Sequence, residues 1–87
     1  VIYAYRGVHS QTGEAIRALS WTLDYDTAKF FALRWCDAGD RGYIYKAAIA
    51  KERVFAYFDD ADEKEVVLDP RFLQDVSLFK TVEQSEN

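Results

Sequence analysis

The sequence predicts a small α+β domain, a mostly antiparallel sheet carrying one main helix over about residues 24–38. Three observations lead there. A chain of 87 residues has room for a single core, so residues 1–87 form one domain. Its composition, 49% hydrophobic and 16% aromatic against 30% charged, is that of a globular protein whose rings supply much of the interior. One segment of helical period is flanked by short β-branched and aromatic runs, in the order strand, helix, then three or four strands.

The elements follow in chain order. Val1-Ile2-Tyr3-Ala4-Tyr5 reads as a strand that stops at Arg6-Gly7. Residues 14–19 form a helical turn or an irregular lead into Ser20-Trp21-Thr22. Asp24 then stands at an N-cap position, Asp26 lies in the first turn and Gly39 follows the last. Between them Ala28, Phe31, Ala32 and Trp35 fall on one helical stripe, with Lys29, Arg34 and Asp37 on other faces. From residue 43 to 50 the pattern alternates: Tyr43, Tyr45, Ala47 and Ile49 point one way, Ile44, Lys46 and Ala48 the other. After the polar break at residues 51–53 comes a second apolar strand or short helix over 54–58, then an acidic loop at 59–62. Residues 65–68 read as a strand closed by Asp69-Pro70, Phe72-Leu73 as a short turn, and 76–81 as the last strand. The ordered core ends near residue 80, with 84–87 as a disordered tail. Tyr43, Tyr45 and Tyr57 are expected to pack the sheet.

Charge and cysteine usage narrow the function classes. A net charge of −4 is a poor basis for gripping a phosphate backbone, so nucleic acid is not an expected partner. No run of 18 apolar residues is present, which argues against a membrane span. One cysteine, Cys36, cannot form an internal disulfide, and this points to a reducing compartment, the cytoplasm. With one Cys and one His, a four-ligand zinc site cannot be completed, and no metal is expected. The chain opens on the strand itself, without signal-peptide pattern or initiator Met, as an excised domain would. The four glycines make no phosphate-cradling loop.

Three pieces, taken in order, resemble the ADP-ribosyltransferase superfamily. They are Tyr5-Arg6-Gly7 at the end of the first strand; Leu19-Ser20-Trp21-Thr22 with the following helix around Ala28-Lys29-Phe30-Phe31-Ala32; and Glu63-Lys64-Glu65-Val66-Val67-Leu68-Asp69-Pro70. These are similar to the family's strand-end arginine, its serine-threonine-serine strand and its Glu-x-Glu motif, over roughly residues 3–80. The resemblance implies a reduced version of that fold and transfer of ADP-ribose from NAD, as co-substrate, to a protein acceptor. It also implies a division of labour. Glu65 stabilises the developing oxocarbenium charge by holding the ribose, and Glu63 orients or deprotonates the acceptor. Arg6, with Gly7 beside it, offers a fork of donors to the diphosphate or ribose. Ser20 aims Glu65, Thr22 supports the same strand, and Trp21 stacks on the nicotinamide.

The chain departs from the family pattern in being short: Ser20 follows Arg6 by 14 positions, and Trp21 replaces a usually small residue. The compactness suits a minimal phage or bacterial-toxin type acting in a bacterial or phage-infected cell. Two other readings stay open. One is a non-catalytic acidic interaction module using Asp59, Asp60, Asp62, Glu63 and exposed aromatics; its charge, like that of the acidic loop in the transferase reading, suits a basic partner. The other is bare NAD hydrolysis with water as acceptor. Association of two chains is not decided by the sequence.

Overall fold

The computed structural model describes residues 1–9, 16, 18–34, 36–37, 39–59 and 64–84. Six strands, β1 (Ile2–Val8), β2 (Ser20–Thr22), β3 (Arg41–Ile49), β4 (Val54–Phe58), β5 (Glu65–Leu68) and β6 (Gln74–Glu83), form one sheet in the order β4-β5-β2-β1-β3-β6. Every pairing is antiparallel. Helix α1 (Tyr25–Leu33) packs mainly over β1 and β3. An α+β domain with an antiparallel sheet is therefore what the chain forms.

The alternation in β3 explains why the sheet is covered on both sides. Tyr45, Ala47 and Ile49 enter a cluster with Ala4, Val8, Trp21, Val66 and Leu68. Ile44, offset by one, enters a second cluster with Ala28, Ala32 and Val82 beneath the helix. Of the three tyrosines expected to pack, Tyr45 is buried and Tyr43 half-buried, but Tyr57 on the outermost strand is exposed. Residues 54–58 are a strand, since β5 supplies the ladder that a lone helix turn would lack. The break before them is a 3₁₀ turn, Lys51–Arg53.

Helix α1 starts as the sequence dictates. Asp24 Oδ2 accepts from the Thr27 N–H at 2.9 Å and from the Thr27 hydroxyl at 2.7 Å. These bonds, the side-chain one foremost, hold the Asp24 carboxyl below its ordinary pKa. The helix ends at Leu33, five residues short of the expected 38. The Leu33 carbonyl is taken by the Cys36 N–H at 3.0 Å and by the Gln84 side chain at 3.0 Å, which closes the last turn against the end of β6. Ala28 and Ala32 are buried, and Lys29, Arg34 and Asp37 are exposed; Trp35, assigned to the same stripe, lies outside the described residues.

Strand β6 is longer than expected, and Gln84 is not a free tail. Its carbonyl accepts from the Gly39 N–H at 3.2 Å, and its N–H donates to the Asp40 carbonyl at 2.9 Å. Residues 85–87 are outside the described set, as are residues 14, 15 and 17 of the 14–19 segment. The turn after β5 is a 3₁₀ turn, Pro70–Phe72, in which Asp69 accepts from the Arg71 N–H at 3.1 Å and pairs with its guanidinium at 2.7 Å. These contacts hold the Asp69 carboxyl below the usual range.

Candidate functional site

Strand β2 is the hinge of the site, because its backbone alternation decides which neighbour each group meets. Leu19 C=O accepts from the Leu68 N–H, and the Leu23 N–H donates to Lys64 C=O, so residues 19, 21 and 23 bond toward β5. The Ser20 carbonyl is thereby turned toward β1. Strands β1 and β2 share one ladder position, Tyr5 with Thr22. Beside it the Arg6 guanidinium enters the seam and donates to the Ser20 carbonyl at 2.7 Å.

The Ser20 side chain completes the path. Its hydroxyl donates to Glu65 Oε2 on β5. The ladders pair Tyr5 with Thr22 and Thr22 with Glu65, so these three side chains leave the sheet on the same side. Arg6, one residue on, leaves β1 on the other side and reaches the group through the seam. Arg6 and Glu65 thus each contact Ser20, one at its carbonyl and the other at its hydroxyl, while their side chains leave opposite sides of the sheet. Partial burial pulls the Arg6 pKa below its ordinary value, yet an arginine remains charged.

The remaining sequence-derived site residues fall into other roles. Thr22 is buried, and its Oγ1 accepts from the Asp24 N–H at 3.1 Å, shaping the corner between β2 and α1. Gly7 is where β1 passes under the helix: a Cβ there would stand 1.7 Å from the Ala28 carbonyl oxygen, so its smallness is set by packing. Trp21 requires a correction. It is 2% exposed within the core, and its Nε1–H donates to the Ala18 carbonyl at 3.0 Å, so its ring presents no stacking surface. Glu63 lies outside the described residues.

The sequence reading missed an aromatic group beside the site. The Tyr5 ring meets Tyr25 at 6.0 Å and Phe79 at 5.4 Å, both edge-on, with Lys46 Nζ 5.8 Å from the Tyr5 ring centre. Tyr5 shares a side with Thr22 and Glu65, and its alternation with Arg6 was the available signal. An open groove of about 440 Å³ lies elsewhere, lined by His9, Cys36, Gly39, Asp40, Arg41 and Tyr43. It contains none of Arg6, Ser20 and Glu65, and the strand seam, with its linked polar groups, is the stronger candidate. Cys36 packs there with its thiol directed at the Ala32 carbonyl at 3.4 Å, and burial raises its pKa. Among the described residues no group of three or more His, Cys, Asp or Glu could hold a metal ion. No helix among them is long and apolar enough to cross a membrane.

No protein-family model, curated protein or solved structure matches the chain.

Proposed function

We propose that the chain is a minimal NAD-dependent mono-ADP-ribosyltransferase-like protein that passes ADP-ribose to a protein acceptor. The observation that carries this reading is the hydrogen bond from the Ser20 hydroxyl to the Glu65 carboxylate, with the Arg6 guanidinium on the carbonyl of the same serine. In the reaction the bond between ribose C1′ and the nicotinamide nitrogen breaks, and its electron pair leaves with the neutral nicotinamide. A bond from the acceptor nucleophile to C1′ forms, and the acceptor gives up a proton. Glu65, oriented by the Ser20 hydroxyl, faces the positive charge that develops on the ribose. Arg6 supplies donors for the diphosphate or ribose, and Glu63 takes the acceptor proton. Tyr5 and Tyr25, in place of Trp21, offer the aromatic surface for the cationic ring. A cytoplasmic setting in a bacterial or phage-infected cell supplies NAD and suits the single cysteine.

The test is incubation with labelled NAD and a bacterial lysate, wild type against Glu65→Gln, with circular dichroism to show that both fold. Labelled protein and released nicotinamide are expected from wild type, with both reduced at least 100-fold in the variant. Neither product from wild type would overturn the reading. Nicotinamide without labelled protein would instead assign NAD hydrolysis.

A second reading has its own observation. Phe55, Tyr57 and Phe58 are exposed on β4 immediately before the acidic run that begins at Asp59, as a binding surface on a non-catalytic interaction module would be. A tight complex that forms without NAD and is unchanged by Glu65→Gln, in a protein that releases no nicotinamide, would select it.

A further inference from the structure

Strand β4 closes one edge of the sheet and β6 the other, and the two edges are built differently. Strand β6 shifts register twice against β3, has a left-handed residue at Asp75 (φ 54°) and carries Lys80, three ordinary protections against strand addition. Strand β4 shifts once, between Val54 and Ala56, and then runs in regular register through Phe58. Its composition, Val54-Phe55-Ala56-Tyr57-Phe58, contains no charge, and Phe55 is 65% exposed, Tyr57 49% and Phe58 47%.

Among the described residues no strand pairs with the outer side of β4, and the backbone directions agree. On β5, Leu68 N–H and Lys64 C=O serve β2, so Glu65, Val67 and Asp69 turn toward β4; the Asp69 N–H indeed donates to the Arg53 carbonyl at 3.0 Å. Phe58 pairs with Glu65 and Ala56 with Val67. The N–H and C=O of Tyr57, between them, therefore face outward. Where this strand ends, Asp59 is exposed, and Asp60, Asp62 and Glu63 follow it in sequence.

We infer that the acceptor docks by adding an extended, basic segment to the outer edge of β4, held by the outward groups of Tyr57 and the aromatic side chains, with the exposed Asp59 fixing its position. The inference rests on the transferase reading of Glu65, because the register gives the docked strand its purpose. Phe58 is the cross-strand partner of Glu65. A residue opposite Phe58 on an added strand would stand about 10 Å from the Glu65 backbone, two strand spacings away, on the same side of the sheet. An arginine there would cross the Phe58 ring, a favourable seat for a guanidinium, on its way to the carboxylate.

The probe is a fluorescent peptide, acetyl-Val-Arg-Val-Arg-Val-amide, with a Val-Glu-Val-Glu-Val control. Affinity for Glu65→Gln protein is read by anisotropy, so that turnover plays no part. The Arg peptide is expected to bind, the Glu peptide at least 10-fold more weakly. Tyr57→Pro, which removes the outward donor, and the surface change Asp59→Lys are each expected to weaken binding at least 10-fold. In an otherwise wild-type background both should cut peptide labelling and the nicotinamide released with it, while nicotinamide release measured without peptide stays unchanged. Unaltered Arg-peptide binding in both variants would overturn the inference and leave the transferase reading standing. So would a dimer in sedimentation velocity that Tyr57→Pro dissolves, since a second copy would then own the edge. Absence of nicotinamide release from wild type is the separate failure of the transferase reading.

Discussion

The two halves of the sheet are held to different standards. At two positions on β1 and β3 the helix comes so close that the strand can carry no side chain: a Cβ on Gly7 would lie 1.7 Å from the Ala28 carbonyl oxygen, and one on Gly42 2.5 Å from that of Ala32. Two glycines on the sheet face two alanines on the helix, and backbone meets backbone. At the β5–β4 margin the order is reversed, with large rings standing in solvent on a strand of no formal charge. Close-packed interiors forfeit stability for every misplaced methylene, whereas exposed rings contribute little to folding. The stability of the domain therefore rests on its two buried clusters, one under the helix and a larger one on the opposite face around Trp21, Ile49 and Leu68, and little of it on the exposed rings of β4.

The sharpest way to break that comparison is Gly7→Ala. The added methyl collides with the Ala28 carbonyl and lies 2.7 Å from the Ala32 nitrogen, so relief requires the helix itself to move. Overpacking against backbone should cost about 3 kcal/mol or more. In a domain of this size each kcal/mol lowers the melting temperature by about 4–8 °C, so a fall of at least about 12 °C is expected by circular dichroism. A variant as stable as wild type would mean that the helix is not seated on β1 in this way.

A smaller effect sharpens the helix side. Asp24→Ala removes the acceptor of two Thr27 hydrogen bonds and should cost about 1 kcal/mol. Because the folded-state pKa of Asp24 is depressed, its contribution is fully present above the unfolded carboxyl value of about 3.9 and fades as pH falls through the lower folded value. Urea unfolding of the two proteins should differ by that amount at pH 7 and converge in acid, once the pH has fallen below the depressed folded-state value. A difference that persists undiminished in acid would show that the aspartate acts through something other than its ionised cap.

Which of these features the sequence could disclose follows from whether the signal is local. The N-cap, the alternation of β3 and the order of the elements depend on neighbours a few positions apart, and they are as read. The early end of α1 is not local: the Leu33 carbonyl is closed by Gln84, 51 positions away. Trp21 illustrates the same limit, since exposure of its ring depends on how Ala4, Tyr45 and Val66 pack around it. The association of Ser20 with Glu65, 45 positions apart, was expected from resemblance alone; the ladder that pairs Thr22 with Glu65 supplies its physical basis. Tyr5, neighbour to Arg6 in sequence, was passed over because its aromatic partners come from α1 and β6.

The smallest expected effect is the most telling for the margin. Phe55→Lys replaces a 65% exposed ring with a charged, flexible chain on the edge strand. If that edge faces only water, stability should change by no more than about 0.5 kcal/mol in urea unfolding, less than a fifth of the Gly7→Ala effect, whatever it does to peptide binding. A loss above about 1 kcal/mol that grows with protein concentration would mean that the ring is covered by a second copy in solution. The contrast between a closed helix contact and an exposed β4 would then belong to the isolated chain alone, and the proposed docking of an acceptor along β4 would fail.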